Sequence, residues 1–303
     1  MKRFIKSVIF FSLFLLLVYS VLTVVTGRLL PGFFRGNIIT DNKISAKDGS
    51  KARYLSVNNF KNADILVLGS SHAYRGYDPR VFRNSDYKMY NLGSSAQSLS
   101  MTEFIYKNYI NIFSPKKIIV DIYPILLGNS GEENLLNLIP VFYNNKNFIN
   151  TAVHNFDIRV INSLVYFQIF GNPKEIKSSI SKGDTYIEGG YISTNRVNKE
   201  NKSYKNETLK IDDKNIDALK NIISDAKSKG IEVYLLQAPI PEVRYKSFVN
   251  NGEIDSLMNS LGKYYNFNNE KFLTNDYFFD DSHINQKGVD VYNKWVLKKI
   301  NEK

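Results

Sequence analysis

Cysteine is absent from the sequence, and histidine occurs only at His72, His154 and His283. A chain without thiols forms no disulfide bonds and escapes oxidation at cysteine, which agrees with an extracytoplasmic location without being specific to it. Histidine, aspartate and glutamate do not cluster at the spacing of metal ligands, so the sequence indicates neither a metal nor another cofactor. Three histidines also leave few candidates for a general base.

Charge is missing between Lys6 and Arg28, and the residues between them are rich in Phe, Leu, Ile and Val. About 20 apolar residues are enough to cross the hydrocarbon core of a bilayer. A cleaved signal peptide is the alternative, but residues 24–27 do not form the small-residue cleavage site that it needs. The sequence therefore predicts a signal-anchor in residues 1–28. The basic residues before it favour a cytoplasmic N-terminus, a single pass through the cell membrane and an extracytoplasmic remainder.

The net charge of +11 bears on partners rather than on the fold. Outside a cell, a basic protein favours an anionic polymer or anionic lipid headgroups. A Lys- and Asn-rich composition of the source organism explains the same charge equally well. Nucleic acid, another common partner of basic proteins, is not indicated, because no binding motif is present and the predicted topology argues against it.

The chain divides by composition into three parts. Residues 29–60 combine turn residues with mixed charge and are predicted to be a membrane-proximal connector, and residues 61–303 suit one large domain. Within that domain, short apolar runs alternate with helical patterns, for example at 212–229 and 254–265, which predicts a parallel sheet with helices on both faces. Between about 129 and 208 the alternation is lost. A segment of this kind is expected to be an insertion that covers an active site or receives a partner.

Residues 65–68 are four consecutive apolar residues, and they are followed by Gly69, Ser70 and Ser71. A short apolar run bounded by turn residues is typical of a strand that is buried on both faces. In open α/β sheets, reactive groups gather just beyond the carboxyl ends of the strands. The sequence therefore predicts a pair of serines at the place where such folds carry out chemistry.

A candidate base and its partner lie near the C-terminus. Asp280 and His283 are three residues apart, in a turn that precedes a helical pattern from about 289 to 300. In a short loop, the carboxylate can hold one imidazole nitrogen while the other nitrogen faces a serine, as in acyl transfer. Asp281 is the alternative carboxylate, one residue closer to the histidine.

Three blocks in this order resemble the SGNH/GDSL hydrolase superfamily. They are Gly69-Ser70-Ser71 after the first strand, Asn91-Leu92-Gly93 after the second, and Asp280-x-x-His283 near the C-terminus. The replacement of Gly-Asp-Ser by Gly-Ser-Ser-His, together with an N-terminal anchor, is similar to the envelope-facing branch of that superfamily. This branch includes the D-alanyl-lipoteichoic-acid transfer proteins (DltD-like) and the alginate O-acetylation proteins (AlgX/AlgJ-like). The resemblance covers roughly residues 60–127 and 210–300.

The resemblance implies a three-layer α/β/α, flavodoxin-like fold with a catalytic triad. In that frame Ser71, rather than Ser70, is the nucleophile, His283 is the base and Asp280 orients it. The N–H of Gly93 is then expected to bind the oxyanion, and the N–H of Ser71 is the natural companion donor. A simple Gly-Ser turn is the alternative interpretation of the second block.

Three further residues are candidate substrate contacts, namely His72, Arg75 and Asn91. For His72, a local hydrogen bond to the turn is the alternative, and for Arg75 the expected ligand is an anionic substrate group. The family's Gly-x-Asn-Asp block, whose asparagine completes the oxyanion hole, has no clean match here. Asp121 and Asn129 lie near the expected place, but neither fits the motif, so the third donor remains unassigned.

The resemblance implies a membrane-anchored serine esterase or O-acyltransferase. It would move a small acyl group, acetyl or D-alanyl, on or off a cell-envelope glycopolymer, with a membrane-bound O-acyltransferase as partner. The missing asparagine block supports a different class, a non-catalytic assembly or polymer-binding protein. A stand-alone carbohydrate or lipid esterase fits the residues equally well but fits the retained anchor less well.

Overall fold

The computed structural model describes residues 1–30, 38, 48–154, 157–171, 180–199, 202–269 and 273–302. The chain forms two compact units, residues 1–45 with 135–177 and residues 46–134 with 178–303. Half of the predicted connector 29–60, residues 31–37 and 39–47, lies outside the described residues. The boundaries 1–28, 29–60 and 61–303 therefore stay a prediction.

The described residues contain twelve α-helices and seven β-strands. The helices are α1 (Lys2–Leu29), α2 (Ser50–Leu55), α3 (Ser71–Gly76), α4 (Pro79–Arg83), α5 (Leu99–Phe113), α6 (Glu132–Phe142), α7 (Lys146–His154), α8 (Ile158–Phe170), α9 (Asp213–Ser228), α10 (Glu242–Ser247), α11 (Asn251–Leu261) and α12 (Gln286–Asn301). The strands are β1 (Ile65–Leu68), β2 (Met89–Asn91), β3 (Lys117–Asp121), β4 (Asp184–Ile187), β5 (Tyr191–Thr194), β6 (Glu232–Gln237) and β7 (Lys263–Asn266).

Five strands of the second unit form a parallel sheet in the order β2-β1-β3-β6-β7. If only these five are counted along the chain, the order is 2-1-3-4-5, which is the flavodoxin-like arrangement. Helices flank the sheet, and all four residues of β1 are fully buried, as expected for a central strand. The predicted α/β class and parallel sheet are therefore confirmed.

The helix predicted over 254–265 is too long at its C-terminal end. Helix α11 stops at Leu261, and Tyr264 and Tyr265 belong to β7, where they pair with β6. Gly262 separates the two elements. Over so short a segment, the apolar residues fit the period of a helix and the period of a strand equally well. Pairing with the neighbouring strand β6 decides for the strand.

Helix α12 fixes the position of the loop that carries Asp280 and His283. Its residues Val289, Tyr292, Val296 and Ile300 follow one another at helical spacing and are all buried in the core. At its start, the Asn285 side chain accepts the N–H of Gly288 at 3.2 Å and donates to the carbonyls of Asp276 and Phe278. The preceding loop is therefore held to a well-packed helix.

The predicted insertion contains a β-hairpin that the sequence analysis did not anticipate. Strands β4 and β5 pair antiparallel, and the turn between them uses Gly189 and Gly190, both at positive φ. The carbonyl of Gly189 accepts the N–H of Asn91 at 2.8 Å, and a Cβ at Gly190 would lie 2.2 Å from the Asn91 carbonyl oxygen. Close backbone approach to the end of β2 thus requires glycine at this turn.

Candidate active site

Ser71 lies at a sharp turn between β1 and α3. Gly69 has a φ of 139°, and a Cβ at that position would lie 2.9 Å from the carbonyl oxygen of Asp121. Ser70 is the N-cap of α3, and Ser71 is the first residue of the helix. The turn therefore presents the Ser71 hydroxyl beyond the carboxyl end of a central strand, where parallel sheets hold their ligands.

The structure brings Ser71, His283 and Asp280 into one chain of hydrogen bonds. Nε2 of His283 lies 2.7 Å from Oγ of Ser71, and its Nδ1 lies 2.9 Å and 3.0 Å from the two carboxylate oxygens of Asp280. A carboxylate only accepts hydrogen bonds, so Nδ1 carries the proton and Nε2 is free to accept the serine hydroxyl. This is the geometry that a serine nucleophile, a base and an orienting acid need.

The loop around Asp280 keeps this group ionised. Burial by itself would raise the pKa of Asp280, but hydrogen bonds and charge attraction from His283 lower the pKa well below its usual range. The backbone N–H groups of Ser282 and His283 add to this effect, since they donate to the same oxygen at 2.9 Å and 2.8 Å. Asp280 is therefore a carboxylate over the whole physiological pH range.

Asp281, the alternative to Asp280, faces a different environment. Its carboxylate accepts the Tyr204 hydroxyl at 3.2 Å and lies 3.5 Å from Nζ of Lys202. These residues border a cavity of about 250 Å³ whose lining also includes Asn198, Ser203, Pro241, Val243 and Asn275. Asn198 also donates to the carbonyl of Asp280 at 3.1 Å. The cavity thus lies beside the loop that carries the base.

His72 is buried and supports the loop of His283. Its ring stacks on His283 with centroids 4.6 Å apart, and it packs at a tilt against the Tyr123 ring with centroids 3.8 Å apart. Nε2 lies 2.7 Å from the Ser282 carbonyl oxygen, while burial and the neighbouring His283 lower the pKa of His72 well below its usual value. The ring is therefore neutral and donates from Nε2. The expected contact with substrate gives way to a positioning role, because the side chain is enclosed.

Arg75 was expected to bind an anionic substrate group, but in the structure it is paired with a carboxylate of the protein. Its guanidinium contacts Asp184 of the hairpin at 2.9 Å and lies over the Phe279 ring at 4.7 Å. Arg196 pairs with the same carboxylate at 2.7 Å and with the same ring at 4.9 Å. Phe279 in turn stacks on His283 at 5.3 Å. Arg75 is thus part of the support behind the imidazole rather than a free substrate ligand.

Asn91 is fully buried, and its amide is used within the protein. Its Nδ2 donates to the Ala73 carbonyl at 2.7 Å, and its Oδ1 accepts the N–H of Gly93 at 2.9 Å. A substrate contact for Asn91 is therefore not supported. Gly93 itself packs closely on the turn, since a Cβ there would lie 2.8 Å from the Ser70 carbonyl oxygen.

The two predicted oxyanion donors differ in the structure. The N–H of Gly93 is occupied by Asn91, whereas the N–H of Ser71 makes no hydrogen bond to another described residue. Asn129 and Asp121, which lie near the place expected for the Gly-x-Asn-Asp block, provide no clear replacement for its oxyanion donor. Asn129 accepts the N–H of Gly131 at 2.8 Å and so closes a turn, and Asp121 is a buried carboxyl.

Asp121 lies at the end of β3, against the backbone of Gly69. It accepts the Tyr77 hydroxyl at 2.9 Å, and that hydroxyl also lies 2.7 Å from the hydroxyl of Tyr292. Burial raises the pKa of Asp121 to about 7, and the bond from Tyr77 only partly opposes this effect. Its second oxygen has no hydrogen-bond partner among the described residues.

No group of three or more metal-ligating side chains is present in the part of the chain that the structure describes.

Sequence reasoning missed Asp184, Arg196, Phe279 and Tyr123, all of which support the site. The hairpin could have been found from the apolar and polar residues around Gly189-Gly190. The ring contacts carry no signal in the sequence, since their partners are far apart in the chain.

Comparison with known proteins returns solved structures only. No family model and no curated protein matches the chain. A proposed acylhydrolase from Bacteroides fragilis aligns at 13% identity over 82% of this chain and 95% of its own, with a TM-score of 0.42. A GDSL-like lipase from Bacteroides thetaiotaomicron aligns at 12% identity over 83% and 98%, with a TM-score of 0.39. A proposed lipolytic protein of the G-D-S-L family from Desulfitobacterium hafniense aligns at 11% identity over 78% and 99%, with a TM-score of 0.38. These likenesses are too distant to assign an activity.

Proposed function

We propose that this chain is a membrane-anchored serine esterase or O-acyltransferase that acts through an acyl-serine. The observation that carries the proposal is the hydrogen-bonded chain of Ser71, His283 and Asp280. The ionised Asp280 accepts the hydrogen bond from Nδ1 of His283, so in the neutral imidazole Nε2 is left to accept the Ser71 hydroxyl. A serine hydroxyl 2.7 Å from an unprotonated imidazole nitrogen is ready to lose its proton during attack.

In the proposed reaction, Oγ of Ser71 attacks the carbonyl carbon of an ester while its proton passes to Nε2 of His283. The resulting imidazolium is stabilised by Asp280, and the oxyanion is bound first by the N–H of Ser71. When the tetrahedral intermediate collapses, the carbon–oxygen bond to the leaving group breaks, and His283 returns the proton to the leaving alkoxide. Water or a second hydroxyl then attacks the acyl-serine by the same route.

The acceptor and the location belong to the same proposal. Helix α1 is long and apolar enough to cross a membrane, and the basic residues at its N-terminus favour an extracytoplasmic catalytic unit. We place the substrate in the cell envelope, as a glycopolymer that gains or loses an acetyl or D-alanyl group. A membrane-bound O-acyltransferase is the proposed source of the acyl group, and the net charge of +11 suits an anionic polymer.

One observation favours a second candidate, a non-catalytic assembly or polymer-binding protein. The N–H of Gly93 donates to Asn91 and would have to leave this bond to bind an oxyanion. A site with a single free donor loses part of its transition-state stabilisation, since one oxyanion donor is worth about 10²–10³ in rate. This second candidate keeps the fold and binds polymer but forms no acyl-serine.

The test compares the full chain in detergent with its Ser71→Ala and His283→Ala variants, on p-nitrophenyl acetate and on a covalent serine probe. Loss of either residue is expected to lower turnover by about 10⁴-fold or more and to abolish labelling. Ser70→Ala is the matched control and should keep both readouts. In cells, Ser71→Ala should abolish acylation of the polymer while the protein stays folded and membrane-bound.

Two results would contradict the proposal. Full polymer acylation by the Ser71→Ala protein would remove Ser71 from the reaction. No labelling of the unchanged protein, with or without its membrane partner, would favour the binding protein. Rapid hydrolysis of free esters without transfer to added polymer would instead indicate a stand-alone esterase.

A further inference from the structure

The cavity that Tyr204 and Asp281 border lies at the same edge of the sheet as Ser71. Two of its lining residues, Pro241 and Val243, follow the carboxyl end of β6. In the sheet order β2-β1-β3-β6-β7, only β3 separates β6 from β1, the strand that leads to Ser71. Neighbouring strands lie about 4.8 Å apart, so the carboxyl ends of β6 and β1 are about 10 Å apart.

Contacts on two sides join this cavity to the acid–base pair. Asn198, a lining residue, donates to the Asp280 carbonyl at 3.1 Å. Burial, and to a lesser extent the charge of Asp281, raises the pKa of Tyr123, so the Tyr123 hydroxyl lies within reach of that carboxylate. The Tyr123 ring packs on His72 with centroids 3.8 Å apart. A molecule in the cavity would therefore lie next to the residues that hold the base.

Tyr204 forms a fixed wall of the cavity. The guanidinium of Arg244 lies 4.9 Å from the centroid of the Tyr204 ring and 4.5 Å from that of the Phe248 ring. Arg244 is itself held by Glu207 at 3.2 Å, and the Tyr204 hydroxyl donates to Asp281 at 3.2 Å. The ring and the hydroxyl are thus both positioned before any ligand arrives, which lowers the entropic cost of binding.

The lining combines a small apolar surface with groups that donate and groups that accept hydrogen bonds. Pro241 and Val243 are apolar, the Asp281 carboxylate only accepts, the Lys202 ammonium only donates, and the asparagine amides do both. Lys202 and Asp281 lie 3.5 Å apart with opposite charges, so the described lining has no net charge. A neutral ligand with several hydroxyl groups fits this set, since each hydroxyl both donates and accepts.

The size of the cavity limits the ligand to about one ring. Its volume of about 250 Å³ is below the range of about 300–1,000 Å³ that encloses drug-sized ligands. Reacting atoms must approach to about 3–3.5 Å, whereas β6 ends about 10 Å from β1. A ring in the cavity is therefore a neighbour of the reacting unit rather than the reacting unit itself.

We propose that this cavity is a subsite for a neutral carbohydrate unit of the acceptor polymer, next to the unit that is acylated. The role as an acceptor subsite rests on the proposed function, whereas the binding of carbohydrate does not. A polymer held here presents its next hydroxyl to the acyl-serine at high effective concentration and so favours transfer over hydrolysis. That hydroxyl oxygen bonds to the acyl carbon and its proton passes to Nε2 of His283. The bond from the acyl carbon to Oγ of Ser71 then breaks, and Oγ takes the proton back.

The first test measures binding to the full Ser71→Ala chain in detergent, so that the result does not depend on an acyl-serine. The probes are the methyl glycosides of glucose, galactose, mannose, N-acetylglucosamine and N-acetylgalactosamine, followed by saturation-transfer NMR, with inorganic phosphate as competitor. Val243→Trp fills the cavity from an exposed position. Val249→Trp is the matched control, because both valines are 57% exposed but Val249 does not line the cavity.

At least one glycoside is expected to bind, and Val243→Trp should weaken its binding by about tenfold or more while Val249→Trp leaves it unchanged. No binding of any glycoside up to about 10 mM would overturn the proposal. Equal binding by the two tryptophan variants would place the glycoside elsewhere and overturn it as well. Displacement of the glycoside by an equal concentration of phosphate would overturn the neutral class of ligand.

The second test uses chains with Ser71 intact, p-nitrophenyl acetate as acyl donor and an oligosaccharide of the glycoside that binds. The ratio of acetylated sugar to free acetate should fall about tenfold in Val243→Trp relative to Val249→Trp, and an equal ratio would overturn the acceptor role. Labelling at Ser71 without glycoside binding would keep the proposed esterase and remove the subsite. Glycoside binding without labelling would keep the carbohydrate site and favour the non-catalytic polymer-binding protein.

Discussion

Replacement of Asp121 by asparagine should change how the stability of the second unit depends on pH. In the folded protein, burial raises the pKa of this carboxyl from its ordinary value of 3.8 to about 7. Between these two values the folded protein holds a proton that the unfolded chain releases. The free energy of unfolding therefore falls as the pH rises from about 4 to 7, and the full loss is present above pH 7.

The structure gives the size of this effect. The folded and unfolded pKa values of Asp121 differ by about 3, and a difference of one in pKa corresponds to about 1.4 kcal/mol. The loss in the free energy of unfolding is therefore about 4 kcal/mol. Asparagine does not titrate, but its Oδ1 can still accept the Tyr77 hydroxyl. An unpartnered amide N–H₂ in this site would lower stability by the same amount at every pH. It would therefore shift the whole curve without changing its slope.

The measurement is denaturant unfolding of the full chain in detergent at several values between pH 4 and 8. Trp295, the only tryptophan, reports on the core, because its ring stacks on Phe267 at 6.3 Å. The stability of Asp121→Asn relative to the unchanged protein should increase by about 4 kcal/mol over this range. Asp217→Asn, at an exposed position, is the control and should follow the unchanged protein. Parallel curves for Asp121→Asn and the unchanged protein would refute the argument, since they would mean that the carboxyl is ionised or hydrated in the folded state.

Two further predictions concern the site. Asp280→Asn should lower the turnover of p-nitrophenyl acetate by about 10⁴-fold, because an amide no longer holds the proton on Nδ1 of His283. Asp281→Asn is the control and should change turnover only a few-fold. Equal effects of the two substitutions would mean that the orienting carboxylate is misassigned. Gly93→Ala should lower the free energy of unfolding by about 1–3 kcal/mol, because its Cβ would lie 2.8 Å from the Ser70 carbonyl oxygen and 2.9 Å from the Tyr74 nitrogen. Gly252→Ala is the control for chemical denaturation and should not destabilise, because beyond its own helix backbone and chain neighbours no atom of the described residues lies within 4 Å of the added Cβ. Equal losses in both variants would contradict the packing argument.

The local elements could be predicted from the sequence because their signals are local. The four apolar residues 65–68 and the Gly-Ser-Ser that follows predict a buried strand and a turn, and β1 and α3 meet at that turn. The pattern from 212 to 229 likewise predicts α9, whose N-cap is Asp212. Period and capping residues were sufficient for these elements.

The surroundings of the base could not be predicted, because they depend on contacts between distant residues. Asp184 binds Arg75 from 109 positions away, and His72 reaches the Ser282 carbonyl from 210 positions away. For the same reason, the hydrogen bond between Asn91 and Gly93 could not be predicted. Their block has the residues of an oxyanion loop, but the path of the backbone decides that one residue binds the other.

The placement of Asp280 and His283 in one short loop has a mechanical consequence. These two residues are three positions apart and are joined by both side-chain and backbone hydrogen bonds, so they move as one body. Ser71 lies 212 positions from His283 and belongs to another element. A displacement of the loop would thus leave the acid–base pair intact and, among the three triad residues, lengthen only the distance from Nε2 of His283 to Oγ of Ser71. Reactivity in such a site can be governed by one coordinate of about an ångström, without the unfolding of any element.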